Sequence, residues 1–176
     1  MATKGQMFSW DLAISISIFL VVLAVIYYLW DSTMFEIQHS KMINEMEGLS
    51  VEVSEQLLRT TGIPANWTES DVEVVGLADD RPRVLNSTKI SNFVDMMSYS
   101  DGDYDANRHL LGTRAYDFYF NMTYLNHTQV EIDGTQCFTG RSPADENVSD
   151  IVTATRTSIL DDEIIRIRFT IWRREL

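Results

Sequence analysis

From Leu12 to Trp30 the chain runs for nineteen residues without a formal charge, and Asp11 and Asp31 close the run at either end. A helix crosses the hydrocarbon of a bilayer in about twenty apolar residues, so this run predicts a single membrane-spanning helix. Trp10, Tyr27, Tyr28 and Trp30 gather at its two ends, where amphipathic rings settle at headgroup level. Ser15 and Ser17 are tolerated inside it because a helical hydroxyl bonds back to a carbonyl of the preceding turn. A buried core helix would need a large domain on both flanks, and only a short segment precedes this one. A cleaved secretory signal would carry a shorter apolar core and a small-x-small site, whereas aromatic residues follow here. Lys4 is the sole base ahead of the run, and Lys41 is the sole base between it and Arg59. That bias predicts an amino terminus inside the cell and a carboxyl terminus outside.

With 176 residues, the chain has room for this anchor and one further domain. A formal charge of -12 argues against nucleic acid and against an anionic lipid surface as partners, since both call for clustered Lys and Arg. Cys137 is the only cysteine, which excludes an internal disulfide and a cysteine-rich metal site. The expected state of that thiol is buried and apolar.

Beyond Trp30, apolar residues recur at Phe35, Met42, Met46, Leu49, Val53 and Leu57, at helical spacing, with Glu36, Lys41, Glu45, Glu47, Glu52 and Glu55 between them. Gly62 and Pro64 read as the stop. Span and stripe together predict one helix of about fifty residues. Gly48 sits inside it at a cost of about 1 kcal/mol.

From Asp71 onward the period becomes two. Val72, Val74 and Leu77 predict a first strand, and Tyr116, Phe118 and Phe120 a second. A hairpin turns at Asp133-Gly134, with Cys137 and Phe138 beyond it. A last pair, Val152 to Leu160 and Ile164 to Trp172, is joined through Asp161, Asp162 and Glu163; Ile165, Ile167, Phe169 and Ile171 form one face of the final strand. Lys89 to Tyr99 and Tyr104 to Leu111 read as helical or irregular. The expected fold class is α+β, a long amino-terminal helix packed on an antiparallel β-sheet head.

The residues Lys4, Gly5, Gln6, Met7, Phe8, Ser9, Trp10, Asp11 and Leu12 resemble the class III signal of archaeal type IV pilin-like proteins, where a basic-Gly-Gln junction abuts the apolar helix. In the head, Gly62 to Pro64 with Asn66 and Trp67, Gly76 to Ala78, Leu110 to Gly112, Arg156 and Trp172 look similar to the same family. The resemblance implies three segments, a leader over 1–5, a transmembrane and stalk helix over 6–62 and an extracytoplasmic head over 63–176. It also implies that prepilin peptidase cuts between Gly5 and Gln6, sparing a helix that serves first as anchor and then as filament core. In many pilins a Glu after the cut pairs with the mature terminal amine; Asp11 is the candidate here, one residue later than in that pattern. Archaellins usually open with Gly and small residues where this chain has Phe8, Ser9 and Trp10.

Five N-x-[ST] sequons stand at Asn66, Asn86, Asn121, Asn126 and Asn147, against about one or two expected by chance, and all lie on the expected outer side. Unmodified Asn in Ser- and Thr-rich turns is the plainer alternative. His39, His109 and His127 are scattered, and no phosphate loop or nucleophile elbow is present. Asp101, Asp103 and Asp105 resemble the opening of a calcium loop, but its Gly is misplaced and its closing Glu is missing, so a solvated turn is expected. No catalytic residue, metal or cofactor is expected. The sequence therefore predicts a non-enzymatic, membrane-anchored pilin-like subunit, partnered by the membrane, prepilin peptidase and other pilin-like subunits or itself. The alternative is a single-pass protein whose outer head binds a partner without polymerising.

Overall fold

The computed structural model describes residues 4–100 and 104–174, with the backbone alone for 4–9 and 145. The chain divides into two compact units, Met1–Met42 and Ile43–Leu176. Helix α1, Lys4–Arg59, runs through both.

In the first unit, α1 is apolar on all sides from Leu12 to Trp30 and covered on none. Its most apolar stretch has a mean hydropathy of 2.7 with no part buried in the protein, so this helix is long and apolar enough to cross a membrane. Ser17 donates its hydroxyl to the Ala13 carbonyl at 2.8 Å, and Thr33 does the same to Leu29 at 2.8 Å, so these polar groups are satisfied within the helix.

In the second unit the same helix becomes two-faced. Met46, Ser50, Val53, Ser54, Leu57 and Leu58 are buried, while Glu45, Glu47, Val51 and Glu52 face solvent. Only part of the expected stripe lies inside: Met42 and Leu49 are half-buried, and Phe35 is exposed. Ser50 and Ser54 bond back to Glu47 and Val51, which lets small hydroxyl side chains sit on the inner face without unpaired groups.

That face packs on a four-stranded antiparallel sheet made of β1 (Asp117–Tyr124), β4 (Phe138–Gly140), β5 (Val148–Leu160) and β6 (Glu163–Arg174), in the order β4-β1-β6-β5. The α+β class is as the sequence predicts. Phe118, Phe120 and Met122 of β1 and Ile165, Ile167, Phe169 and Ile171 of β6 supply the inner face. Burial of such side chains contributes about 1.5–3 kcal/mol each. Helix α2 (Ser87–Met96) adds Ile90 and Phe93, whose ring meets Phe120 edge-on at 5.1 Å. A short α3 (Tyr104–Asn107) brings buried Tyr104 against Phe118. The two-residue strands β2 (Glu131–Ile132) and β3 (Thr135–Gln136) pair around Asp133 and Gly134, both at positive φ, as a tight hairpin requires. Leu160 pairs with Glu163, so only Asp161 and Asp162, at φ of 50° and 64°, make the last turn. Asp accepts that left-handed backbone more readily than most residues do.

Two expectations are corrected. Val72 to Leu77 is not a strand of the sheet; Val74 makes only an isolated bridge to Ile63. The segment is drawn to the end of α1, where the last carbonyls lack helical partners. Leu77 N–H donates to Leu57 at 2.8 Å, Ala78 N–H to Thr60 at 3.1 Å, and Arg83 N–H to Leu58 at 2.7 Å. Gly76 permits the approach, because a Cβ there would lie 2.3 Å from the Thr60 carbonyl oxygen. The alternation of β6 puts Trp172 with Arg166, Arg168 and Thr170 on the face opposite Ile165, Ile167, Phe169 and Ile171, where a half-buried pattern is expected, yet Trp172 is fully buried, because its indole N–H reaches the Arg141 carbonyl at 3.1 Å under the segment after β4.

The glycines generate a prediction. Gly48 has open space where a side chain would stand, so Gly48→Ala should raise stability by about 1 kcal/mol. Gly76→Ala should lower it by more than that gain. Thermal unfolding of the detergent-solubilised chain reads both.

Candidate functional site

Lys4, Gly5 and Gln6 lie in the first turns of α1, where only the backbone is described. Asp11 is helical and exposed. From Leu12 to Trp30 every large apolar side chain is about half or more exposed, Phe19 at 63% and Tyr27 at 72% among them. An uncovered surface of this extent on a folded chain calls for lipid or protein around it.

The second feature joins helix to sheet. Glu55, on the inner edge of α1, receives the Arg156 guanidinium from β5 at 2.9 Å, Arg59 from its own helix at 2.5 Å, and Arg83 from the loop after the helix end at 3.3 Å. Burial alone would raise the Glu55 carboxyl, but the Arg156 hydrogen bond and the charges of Arg59, Arg83 and Arg156 outweigh it and hold its pKa below the ordinary value of 4.5. The Arg83 carbonyl in turn accepts from the Ser158 hydroxyl at 2.7 Å and from Ile159 N–H at 2.9 Å. One carboxylate thus pins the helix, the loop and the strand to each other.

A second carboxylate, this one buried, works in the same way at the Asp117 end of β1. Asp117 accepts from Arg174 at 2.9 Å, from Arg108 at 3.2 Å and from the Tyr104 hydroxyl at 3.2 Å. Tyr104 also accepts Phe118 N–H at 2.8 Å, and burial drives its phenol far above the ordinary range. Lys89, 6% exposed, donates to the carbonyls of Thr61 at 2.9 Å and Ala78 at 2.8 Å, and its burial lowers its pKa. These groups are spent on structure. Sequence reasoning noted Glu55 and Arg156 separately but had no means of pairing residues 101 positions apart.

The sequons fall into different surroundings. Asn66, Asn126 and Asn147 are exposed. Asn126 Oδ1 accepts Thr128 N–H at 3.0 Å and the Thr128 hydroxyl at 2.7 Å, an Asx turn. Asn86 caps α2, taking Lys89 N–H at 3.2 Å and giving its amide to Asp79 at 3.0 Å. Asn121 lies mid-strand between β4 and β6, and its Oδ1 is buried without a partner.

The histidines do not converge: His39 stacks on Phe35 at 6.5 Å, His109 contacts the Ala106 carbonyl, and His127 meets Arg166 at 3.2 Å. Cys137 is buried, and that burial pushes its thiol up to about 11. Of the acidic triplet only Asp105 is described, exposed and 3.5 Å from Arg108; Asp101 and Asp103 lie outside the described residues.

No family model, curated protein or solved structure matches the chain. The architecture, a long apolar amino-terminal helix packed on an antiparallel sheet, is pilin-like.

Two outcomes are expected. Glu55→Gln should cost about 1–2 kcal/mol at neutral pH, since it removes a charge-assisted set of bonds. Because the folded pKa is depressed, the carboxylate contribution is complete above the unfolded value near 4.5 and fades as pH falls through the folded value beneath it. The thermal midpoint of the native chain should therefore drop on acidification below that point, and the variant should lose part of that slope. Glycopeptide mass spectrometry of protein from its own cells should find sugar at Asn66, Asn126 and Asn147 and leave Asn121 bare; the reverse pattern would mean that modification precedes folding.

Proposed function

We propose that this chain is a pilin-like subunit, inserted with its amino terminus inside, cut between Gly5 and Gln6, and assembled through α1 into a surface filament with its head outside. The head contacts surfaces or other components and catalyses nothing. One observation carries the reading: a single helix is buried along one face from Met46 to Leu58, and from Leu12 to Trp30 it is apolar and uncovered on every side. A membrane covers such a surface before assembly, and the helices of neighbouring copies cover it afterwards. Small residues and back-bonded hydroxyls such as Ser17 suit both surroundings, since they leave no polar group needing water.

The basic-Gly-Gln junction directly before the apolar run supports processing, and the acidic balance of the chain argues against nucleic acid as the thing touched. Prepilin peptidase and further pilin-like subunits are the partners this reading requires. The exposed sequons fit a glycosylated outer surface.

Sequencing the amino terminus of the membrane-bound protein tests the proposal, with Gln6 as the expected first residue. Gly5→Trp should block the cut, keep the protein in the membrane and abolish filaments seen by electron microscopy. A mature chain that retains Met1, or a Gly5→Trp variant that functions normally, would replace this reading with that of a permanently anchored, non-polymerising binding protein.

A further inference from the structure

Beside the edge strand β4 lies a groove of about 670 Å³, between the carboxyl end of α2 and the β2–β3 hairpin. That volume is within the range of small-ligand sites. Phe138 is 43% exposed and Tyr99 is 47% exposed, and the Phe138 ring stands beside Tyr119 with centroids 6.2 Å apart and planes tilted by 39°. Around these rings stand groups that bond hydroxyls, the Gln136 amide and the Asp95 carboxylate. Asp95 has no ion pair or side-chain hydrogen bond among the described residues.

From this arrangement we propose that the groove is a binding site for a neutral oligosaccharide of flat, equatorially substituted hexoses. The proposal rests on the reading of the head as a contact module and names what it contacts. The apolar C–H face of such a sugar carries slightly positive hydrogens, which suit the electron-rich faces of the Phe138 and Tyr119 rings. Its edge presents neighbouring hydroxyls, which a carboxylate such as Asp95 accepts in pairs.

Charge argues for neutrality. Arg141 is the guanidinium of the groove, and it is already held: paired with Glu146, 4.9 Å over the Tyr99 ring and 5.8 Å over Trp172. An anionic ligand would meet Asp95 with no unspent cation to offset it.

An extended peptide is the other natural occupant of a strand edge. Here Gly140 N–H already donates to Met97 at 3.1 Å, and Gly140 and Ser98 form a bridge, so part of that edge is taken. The same ties fix the floor. Thr139 gives its hydroxyl to the Val94 carbonyl at 2.8 Å, and a Cβ at Gly140 would lie 2.5 Å from the Phe118 carbonyl oxygen, so β4 cannot shift far from its neighbours. A prearranged floor reduces the ordering cost of binding a flexible sugar.

The test uses the full chain in detergent micelles with fluorescein-labelled cellotriose, chitotriose and trigalacturonate, read by anisotropy. Cellotriose or chitotriose should bind and the anionic trigalacturonate should not. Phe138→Ala and Asp95→Asn should each weaken binding about tenfold or more, equivalent to about 1.4 kcal/mol, while the thermal midpoint stays close to that of the unaltered chain because both side chains are exposed. No binding of either neutral sugar, equal binding of trigalacturonate, or binding indifferent to both substitutions overturns the proposal. Electron microscopy of the same strains separates the two readings. Filaments without sugar binding overturn the groove and spare the assembly reading; sugar binding without filaments does the opposite.

Discussion

A helix that is greasy on every side for its first half and on one side for its second has to be held by two different surroundings, and that demand governs the rest of the molecule. The second surroundings are supplied by the head itself. Met46, Val53, Leu57 and Leu58 go into its core, and Glu55 is fastened by Arg59, Arg83 and Arg156. Half-buried carboxylates with several arginines are weak evidence of net stability, because desolvation offsets much of the attraction. Their value here is positional. A purely apolar helix face could slide or rotate on a flat sheet, whereas Glu55 meets Arg156 in only one register.

The same logic recurs at Asp117, where Arg108, Arg174 and Tyr104 meet, and at Lys89, which closes on two carbonyls. Each polar group ties together segments distant in sequence. Together they let a head with a single buried thiol and no disulfide keep its loops in place. Separate ties, Gly140 N–H to the Met97 carbonyl and the Thr139 hydroxyl to the Val94 carbonyl, hold the floor of the aromatic groove beside β4.

What could be read from residues alone followed the strength of the local pattern. The nineteen uncharged residues, the period-two alternation from Ile164 to Trp172 and the Asp133-Gly134 turn each stood out in isolation, and each has its expected place. Val72 to Leu77 failed because its apolar alternation serves to cap a helix end, a role decided by carbonyls of residues 57–60 that no local window includes. Ser50 and Ser54 fall outside the apolar stripe although both are buried, because each satisfies its hydroxyl on a carbonyl of its own helix and so needs no water. Glu55 with Arg156 and the rings of Tyr99, Tyr119 and Phe138 come together only through the tertiary fold. The trimming site and the partners rest on a short motif that geometry does not address.

The way the end of α1 is finished has a mechanical meaning. Three backbone N–H groups, from Leu77, Ala78 and Arg83, grip its last carbonyls side by side, and Glu55 is held a turn earlier. Because the three donors come from two separate stretches of the following segment, the end of the rod is closed by the chain folding back on it and not by the next residues in line, so the stem cannot fray at that end without the loop letting go as well.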